Sequence, residues 1–381
     1  MADDSHIARR ELPIVRWLLL MWLGMMVISF YALSSPEALA AQNKLSLNRA
    51  IFTAVNAGTM TGFSQQFAKP GDFGFLQRLI LLFQLFSGTM LSLIGGGILI
   101  NRLLGHPFSN RRIAGLGLAL ITFASLAGWM IAHGDVDWIT GVSRGLSALA
   151  CAGLPPGGVP AATDRVLLLL LFPISMIGSL GLIALLGLIT RRRDVSDDGH
   201  FHARRVIAVR LAAYLVCTLS VVWLIENVSG ANLLDLPRAS ALALSSLGYG
   251  LPVERMANFP RGVDAIVLIF MLLSAGTLSA TGGMGIAWLI TLPSRWTNWV
   301  LIGIGVQIAL IVTAYLMLSQ TEPQLPADRL AILAVSGGMN VGISHEPVSI
   351  TGPGLLTLSG LMLAGRLLPL LWVAALIRRK A

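Results

Sequence analysis

Four short segments of this 381-residue chain place a glycine where backbone oxygens could do chemistry: TMTGFS (59–64), CAGLPPGG (151–158), GYGLPVE (248–254) and NVGISHE (340–346). A desolvated cation needs oxygen ligands to replace its water shell, and inward-facing carbonyls supply them without a fixed charge. Such extended backbone is tolerated at membrane depth only where it lines a cavity. Glycine lets the chain bend there because it adopts positive φ without steric cost. Gly62, Gly153, Gly250 and Gly342 stand 91, 97 and 92 residues apart. That is an internal repeat with a period of about 93 residues. Each glycine is followed by an apolar residue: Phe63, Leu154, Leu251 or Ile343. One turn per repeat would set the carbonyls of Thr61 and Gly62, Ala152 and Gly153, Tyr249 and Gly250, and Val341 and Gly342 around a pseudo-fourfold axis.

The elements that must position these turns follow from composition. The chain is 55% hydrophobic and 12% charged, about half the charge of an ordinary soluble protein. Apolar runs predict eight membrane spans, at 12–33, 75–103, 113–133, 166–189, 206–227, 263–292, 296–319 and 354–377. Between the members of each pair lies a shorter helical stretch, at 45–59, 138–151, 236–247 or 328–338. These are too short to cross a bilayer core of about 30 Å, so they are read as re-entrant. Their C-terminal, partly negative ends would lie near the axis and favour a cation. The expected fold class is an all-α polytopic membrane protein with eight transmembrane helices and four pore helices. It forms a single transmembrane domain over 1–381, with repeats at 12–103, 113–190, 204–292 and 296–378. The first apolar run, although followed by a cleavage-like Ala38-Leu39-Ala40, is expected to be a retained helix because its loss would destroy the first repeat.

Charge placement gives an orientation. With both termini on one side, 16 of 27 basic residues fall on that side and 10 on the other, with Arg366 inside the last span. The positive-inside rule makes the richer side cytoplasmic. Twelve of 18 acidic residues fall on the outer side, so the outer face carries −2 and the inner face +10. Asp72, Asp135, Asp137, Asp164, Glu254, Asp264, Asp328 and Glu346 are expected around the mouth, where an acidic funnel concentrates cations and ordinary loop charge is the alternative. The basic loop 191–210 faces anionic lipid headgroups or a partner protein, and the net charge implies no nucleic acid. Cys151 and Cys217 lack metal-ligand spacing and read as packing residues; His200 and His202 fall in a polar loop.

Two features suggest a gate. The sixth span is interrupted by Gly276, Thr277, Ser279, Thr281, Gly282, Gly283 and Gly285, and each glycine costs a helix about 1 kcal/mol relative to alanine. A broken span would supply loop and carbonyl groups beneath the filter, whereas close helix packing is the competing reading, as for Gly95, Gly96 and Gly97. Arg366 is the one charge expected deep within a span, and an intramembrane charge marks a functional site by default. Its expected partners are carbonyls or hydroxyls of 274–285, from which it would act as an electrostatic plug.

The four-repeat layout resembles the Trk/Ktr/HKT superfamily of potassium and sodium transporters. TMTGFS resembles that family's first filter loop, and NVGIS its fourth, which is close to the potassium-channel pattern. SAGTLSATGGMG (274–285) resembles the glycine-rich break of the family's sixth span, and LAGRLLPL (363–370) the arginine-bearing part of its last. The lysine that usually follows the glycine-rich break is replaced by Met284 and Gly285, and the second turn carries Pro155 and Pro156. The resemblance implies potassium uptake across the bacterial plasma (inner) membrane. It implies a homodimer with one pore per subunit and a cytoplasmic nucleotide-binding regulatory subunit. No cofactor is expected in this chain, and K+ is the transported ion. A secondary transporter coupled to protons or sodium is the main alternative, opposed by the scarcity of mid-span carboxylates. An intramembrane enzyme lacks both HExxH and a nucleophile with a base.

Overall fold

The computed structural model describes residues 12–35, 38, 45–65, 72–106, 108–132, 137–152, 167–190, 197–229, 236–247, 256, 259, 262–274, 289, 292 and 294–380. Among these residues the fold is helical, with one isolated parallel bridge between Gln65 and Val348. The chain opens with α1 (Leu12–Leu33) and the short α2 (Leu47–Gly58). The long run that follows is α3 (Phe75–Met90), a π-turn at Leu91–Gly95 and α4 (Gly96–Leu104). Then come α5 (Asn110–Ile131), the short α6 (Trp138–Leu149), α7 (Phe172–Leu180) and α8 (Leu182–Ile189). The third stretch holds α9 (Asp197–Ser229), the short α10 (Leu236–Ser246) and α11 (Val263–Ser274). The last holds α12 (Thr297–Thr321), the short α13 (Ala327–Gly338) and α14 (Gly352–Lys380).

Among the described residues, six runs are long and apolar enough to cross a membrane: Pro13–Leu33, Phe75–Leu104, Asn110–Ile131, Arg204–Asn227, Ser294–Thr321 and Gly352–Arg379. The bent pair α7 and α8 makes a seventh if it crosses as one broken span. This is a multi-pass membrane protein, and exposed Trp17, Tyr31, Leu169 and Trp223 lie on the surface that such a protein presents to lipid. Two expectations need correction. The fourth span is not continuous: Gly181, at φ 76°, turns α7 into α8 by 93°. The helix α9 begins at Asp197, so the backbone of His200 and His202 is helical and the loop before it is shorter than expected. Of the sixth span, only α11 and scattered later positions fall among the described residues.

Small residues let these helices approach closely, which matters where lipid offers no hydrophobic drive between helices. A methyl on Gly145 would collide with the Ala124 carbonyl, and one on Gly141 with the Gly128 carbonyl, so α5 and α6 pack backbone to backbone. Three glycines later in the chain press on the last residue of a short helix. Gly178 lies against the Leu149 carbonyl, Gly365 against that of Gly338, and Gly88 against Met60 and the Gly58 carbonyl. Gly145→Ala should cost about 1–3 kcal/mol by overpacking. Gly115→Ala, whose methyl would meet nothing within 4 Å, should be neutral or stabilising. Thermal loss of monodisperse protein in detergent measures both.

Candidate ion-coordination site

The short helices α2, α6 and α13 end in the same way. Their C-caps Thr59, Ala150 and Met339 are followed by residues in left-handed backbone: Met60 (φ 56°), Cys151 (φ 53°) and Asn340 (φ 54°). The next amide reaches back five residues, from Thr61 to the Asn56 carbonyl (3.1 Å), from Ala152 to Ser147 (2.8 Å) and from Val341 to Ser336 (2.9 Å). This is the Schellman closure, normally built with glycine at the left-handed position. In each case the left-handed residue stands two positions before a glycine of the repeat.

In the first turn Asn56 sets the direction of the carbonyls. Its Oδ1 accepts from the amides of Gly62 and Phe63, both at 2.9 Å, and its Nδ2 donates to the Phe63 carbonyl at 2.9 Å. A trans peptide points its C=O opposite to its N–H. The oxygens of Thr61 and Gly62 are therefore turned away from α2. Gly62 takes φ 92°, which favours glycine.

The first and fourth turns lie against each other. Gly342 has φ 80°, and a Cβ on it would collide with the Thr61 carbonyl oxygen. Val348 donates to the Ser64 carbonyl at 2.7 Å. Asn340 Nδ2 donates to Thr61 Oγ1 (2.8 Å) and to the Met362 carbonyl (3.0 Å). Thr59 Oγ1 donates to the Val55 carbonyl at 2.8 Å, so the Thr61 hydroxyl donates to Thr59 Oγ1 across 2.7 Å. Thr61, Gly62 and Val341 are thus buried where the half-buried Gly342 meets the first turn. Ala152 is buried at the start of the second turn. Gly153, Tyr249 and Gly250, and the gate residues Gly276, Thr277, Ser279, Thr281, Gly282 and Gly283, lie outside the described residues.

Arg366 is 3% exposed, and among the described residues its partner is the end of α2. Nε donates to the Thr59 carbonyl at 2.8 Å, and Nη2 donates to the same oxygen. The glycine-rich stretch expected to hold it lies outside the described residues after Ser274. The end of α2 is now fully accounted for: Asn56 accepts from Thr61, Ala57 from Met60, Gly58 from the Trp22 indole (2.6 Å) and Thr59 from Arg366. Sequence reading missed Trp22, Asn56, Gln84 and Gln307. Gln84 Nε2 donates to the Ala54 carbonyl and Gln307 Nε2 to that of Gly338, each at 2.7 Å. The signal of these two glutamines was an amide set among apolar neighbours, in LLFQLF and GVQIAL. Also missed was Arg210, read as a loop charge but 3% exposed within α9, with Nη1 3.5 Å from the Leu247 carbonyl.

Several mouth carboxylates have structural work. Asp137 caps α6 through the Thr140 amide (3.1 Å) and hydroxyl (3.0 Å) and pairs with Arg78 at 2.6 Å. Asp264 bonds His345 at 3.0 Å, and the donor atoms of Asp264, Asp328 and His345 lie within 4.8 Å of one another. Glu346 lies 3.7 Å from Arg329, and Asp135, Asp164 and Glu254 fall outside the described residues.

No protein-family model matches this sequence, and no curated protein is similar to it. Among solved structures it is similar to the potassium transporter TrkH from Vibrio parahaemolyticus. The TM-score is 0.69 at 18% identity, over 97% of this chain and 86% of that one. The likeness is one of fold, and at that level the resemblance carried by the glycine turns holds.

Burial raises the Asp137 pKa, but the Thr140 bonds and Arg78 outweigh it, so the carboxyl titrates below its usual range. Its stabilisation is complete above the unfolded value of about 4 and is lost as pH falls through the lower folded value. Asp137→Ala should therefore cost about 1 kcal/mol near neutrality as a lost helix cap. The difference in melting temperature from the parent should shrink as pH drops below 4, as thermal scans at stepped pH would record.

Proposed function

We propose that this chain is the pore subunit of a Trk-like cation transporter, carrying potassium, or sodium, into a bacterial cell down its electrochemical gradient. The observation that carries this reading is the first turn. Asn56 holds two amides against α2 and turns the Thr61 and Gly62 carbonyls away, with Gly342 of the fourth turn leaving room for the Thr61 oxygen. The fold likeness to a potassium transporter supports it. The carbonyls of Ala152, Gly153, Tyr249, Gly250, Val341 and Gly342 complete the proposed ring, and residues 276–285 form the gate together with Arg366. The assembly is a homodimer in the inner membrane, with both termini cytoplasmic and a nucleotide-binding regulator docking on that face. Coupled transport finds no support among the described residues: the buried carboxylate Glu322 stands at the end of α12, bonded to the Thr351 amide at 2.7 Å, away from mid-span.

Rubidium flux into proteoliposomes, competed by potassium, sodium and lithium with and without a pH gradient, tests the reading. Selective, gradient-independent uptake supports it, and strict dependence on the pH gradient refutes it. Gly342→Ser forces a side chain into left-handed backbone and onto the Thr61 oxygen. It should reduce potassium over sodium discrimination about tenfold, equivalent to misplacing one ligand by about 1.4 kcal/mol. Unchanged competition curves in folded protein would remove Gly342 from the filter.

Arg366→Gln keeps an N–H donor for the Thr59 carbonyl and removes the charge. Two unit charges about 6 Å apart at an effective dielectric near 20 repel by roughly 3 kcal/mol. The Gln variant should raise flux, and Arg366→Lys should preserve most of the block. A stable Gln variant conducting no better than the parent defeats the plug assignment.

A further inference from the structure

Three groups with metal-ligating chemistry converge beside the fourth turn, from separate parts of the chain. Asp264 stands in the first turn of α11 and Asp328 in the first turn of α13, while His345 follows Gly342 by three residues. His345 Nε2 lies 3.0 Å from Asp264 Oδ2, and one donor atom from each of the three residues falls within 4.8 Å of the others. The His345 and Asp264 side chains are 15% and 17% exposed, whereas Asp328 opens to the surface, so an ion could enter past it. Among the described residues, no lysine or arginine is ion-paired with either carboxylate. Arg329, next to Asp328 in sequence, turns its guanidinium to Glu346 at 3.7 Å and gives Asp328 Oδ1 its backbone amide at 2.9 Å.

A carboxylate in the first turn of a helix is favoured by the helix dipole, and one aspartate–histidine hydrogen bond needs no metal. Those accounts explain each residue alone. They leave two carboxylates of different helices standing together with one imidazole, their like charges met by no lysine or arginine. The donor set itself selects an ion. Calcium and magnesium favour oxygen cages, and copper(I) favours sulfur. One imidazole with two carboxylates suits zinc and its first-row neighbours. Tetrahedral zinc at about 2.0–2.1 Å from each ligand holds the ligand atoms roughly 3.4 Å apart. The separation of 3.0 Å and the limit of 4.8 Å bracket that spacing, so rotation of side chains can close the site.

We infer that Asp264, Asp328 and His345 form a zinc-class divalent metal site that ties the starts of α11 and α13 to the segment after the fourth turn. The metal takes the place of the hydrogen bond between His345 Nε2 and Asp264, the proton of the neutral imidazole then sits on Nδ1, and a fourth position is left for water. The ion is a fastener between the third and fourth repeats, and its binding does not depend on which cation the chain transports. Sequence alone assigns Asp264 and Asp328 to an acidic mouth and leaves His345 unassigned, because residues so far apart in the chain form no ligand motif.

Calorimetric titration of Zn2+ into tag-free, chelator-stripped protein in detergent tests this. The variants are His345→Ala, Asp264→Asn and Asp328→Asn, with Glu346→Gln as a control outside the donor set. The parent should bind zinc against an excess of Mg2+ or Ca2+. Each donor variant should bind at least about tenfold more weakly, and Glu346→Gln should match the parent. Because other histidines can also capture zinc, a second readout is amide exchange over residues 343–350. Zn2+ should slow that exchange in the parent and leave it unchanged in His345→Ala. No zinc uptake by the parent, equal affinity in parent and donor variants, or equal competition by Mg2+ each overturns the inference. If His345→Ala does not fold, the surface substitution Asp328→Asn decides: weakened binding supports the site, and parental affinity with parental exchange protection removes it.

Discussion

A helix that stops inside a membrane leaves its last carbonyls with no water to bond, and each unmet oxygen is expensive. Much of this structure follows from how those oxygens are met. At the end of α2, two are closed by the chain's own left-handed turn, one by the Trp22 indole and one by the Arg366 guanidinium. Those partners lie 36 and 307 residues away in sequence, so satisfying one helix end ties α1 and α14 to it. At α13, Gln307 performs the task of Trp22 with different chemistry. The close packing of glycines on these same ends brings the later spans within reach.

The turns themselves divide the cost of unusual backbone. Met60 and Cys151 accept left-handed φ despite their side chains, a strain of about 1–2 kcal/mol per residue. Asn340 bears it more easily, because asparagine tolerates left-handed backbone, and its amide bonds across to Thr61. Gly62 meets the need for positive φ, and Gly342 is needed for two reasons at once: positive φ and the near contact of Thr61 and Gly62. Asn56 then does what glycine cannot, fixing which way the peptide planes face.

Periodicity made most of the helices legible, and the ends of the short helices fell within two residues of expectation in all four cases. The fixed spacing of four glycines located the first and fourth turns, and the structure brings Thr61 and Gly342 together. Apolar counting did not reveal the break at Gly181, because a glycine leaves mean hydropathy over a window almost unchanged, nor the burial of Arg210, because an arginine at the start of a span reads the same whether packed or solvated. The partner of Arg366 was equally hidden. A carbonyl acceptor leaves no mark on residue identity, so Thr59 could be any residue whose backbone ends a helix there. The donors Gln84 and Gln307 did leave one, as amides set among apolar neighbours in LLFQLF and GVQIAL.

The π-turn at Leu91–Gly95 has a consequence for timing along the Phe75–Leu104 run. One additional residue in a helical turn advances every later side chain by about 100° around the axis. Before the turn, Gln84 and Gly88 face the end of α2; after it, Gly97 meets Ile113 of α5 and Leu182 of α8. One span thereby keeps phase with two sets of neighbours that a regular helix would address from a single stripe. Like a slipped tooth between two gears, the surplus residue could migrate along the helix by exchanging one hydrogen bond at a time. Rotating one half of the span against the other would then need no break in the chain's bonding.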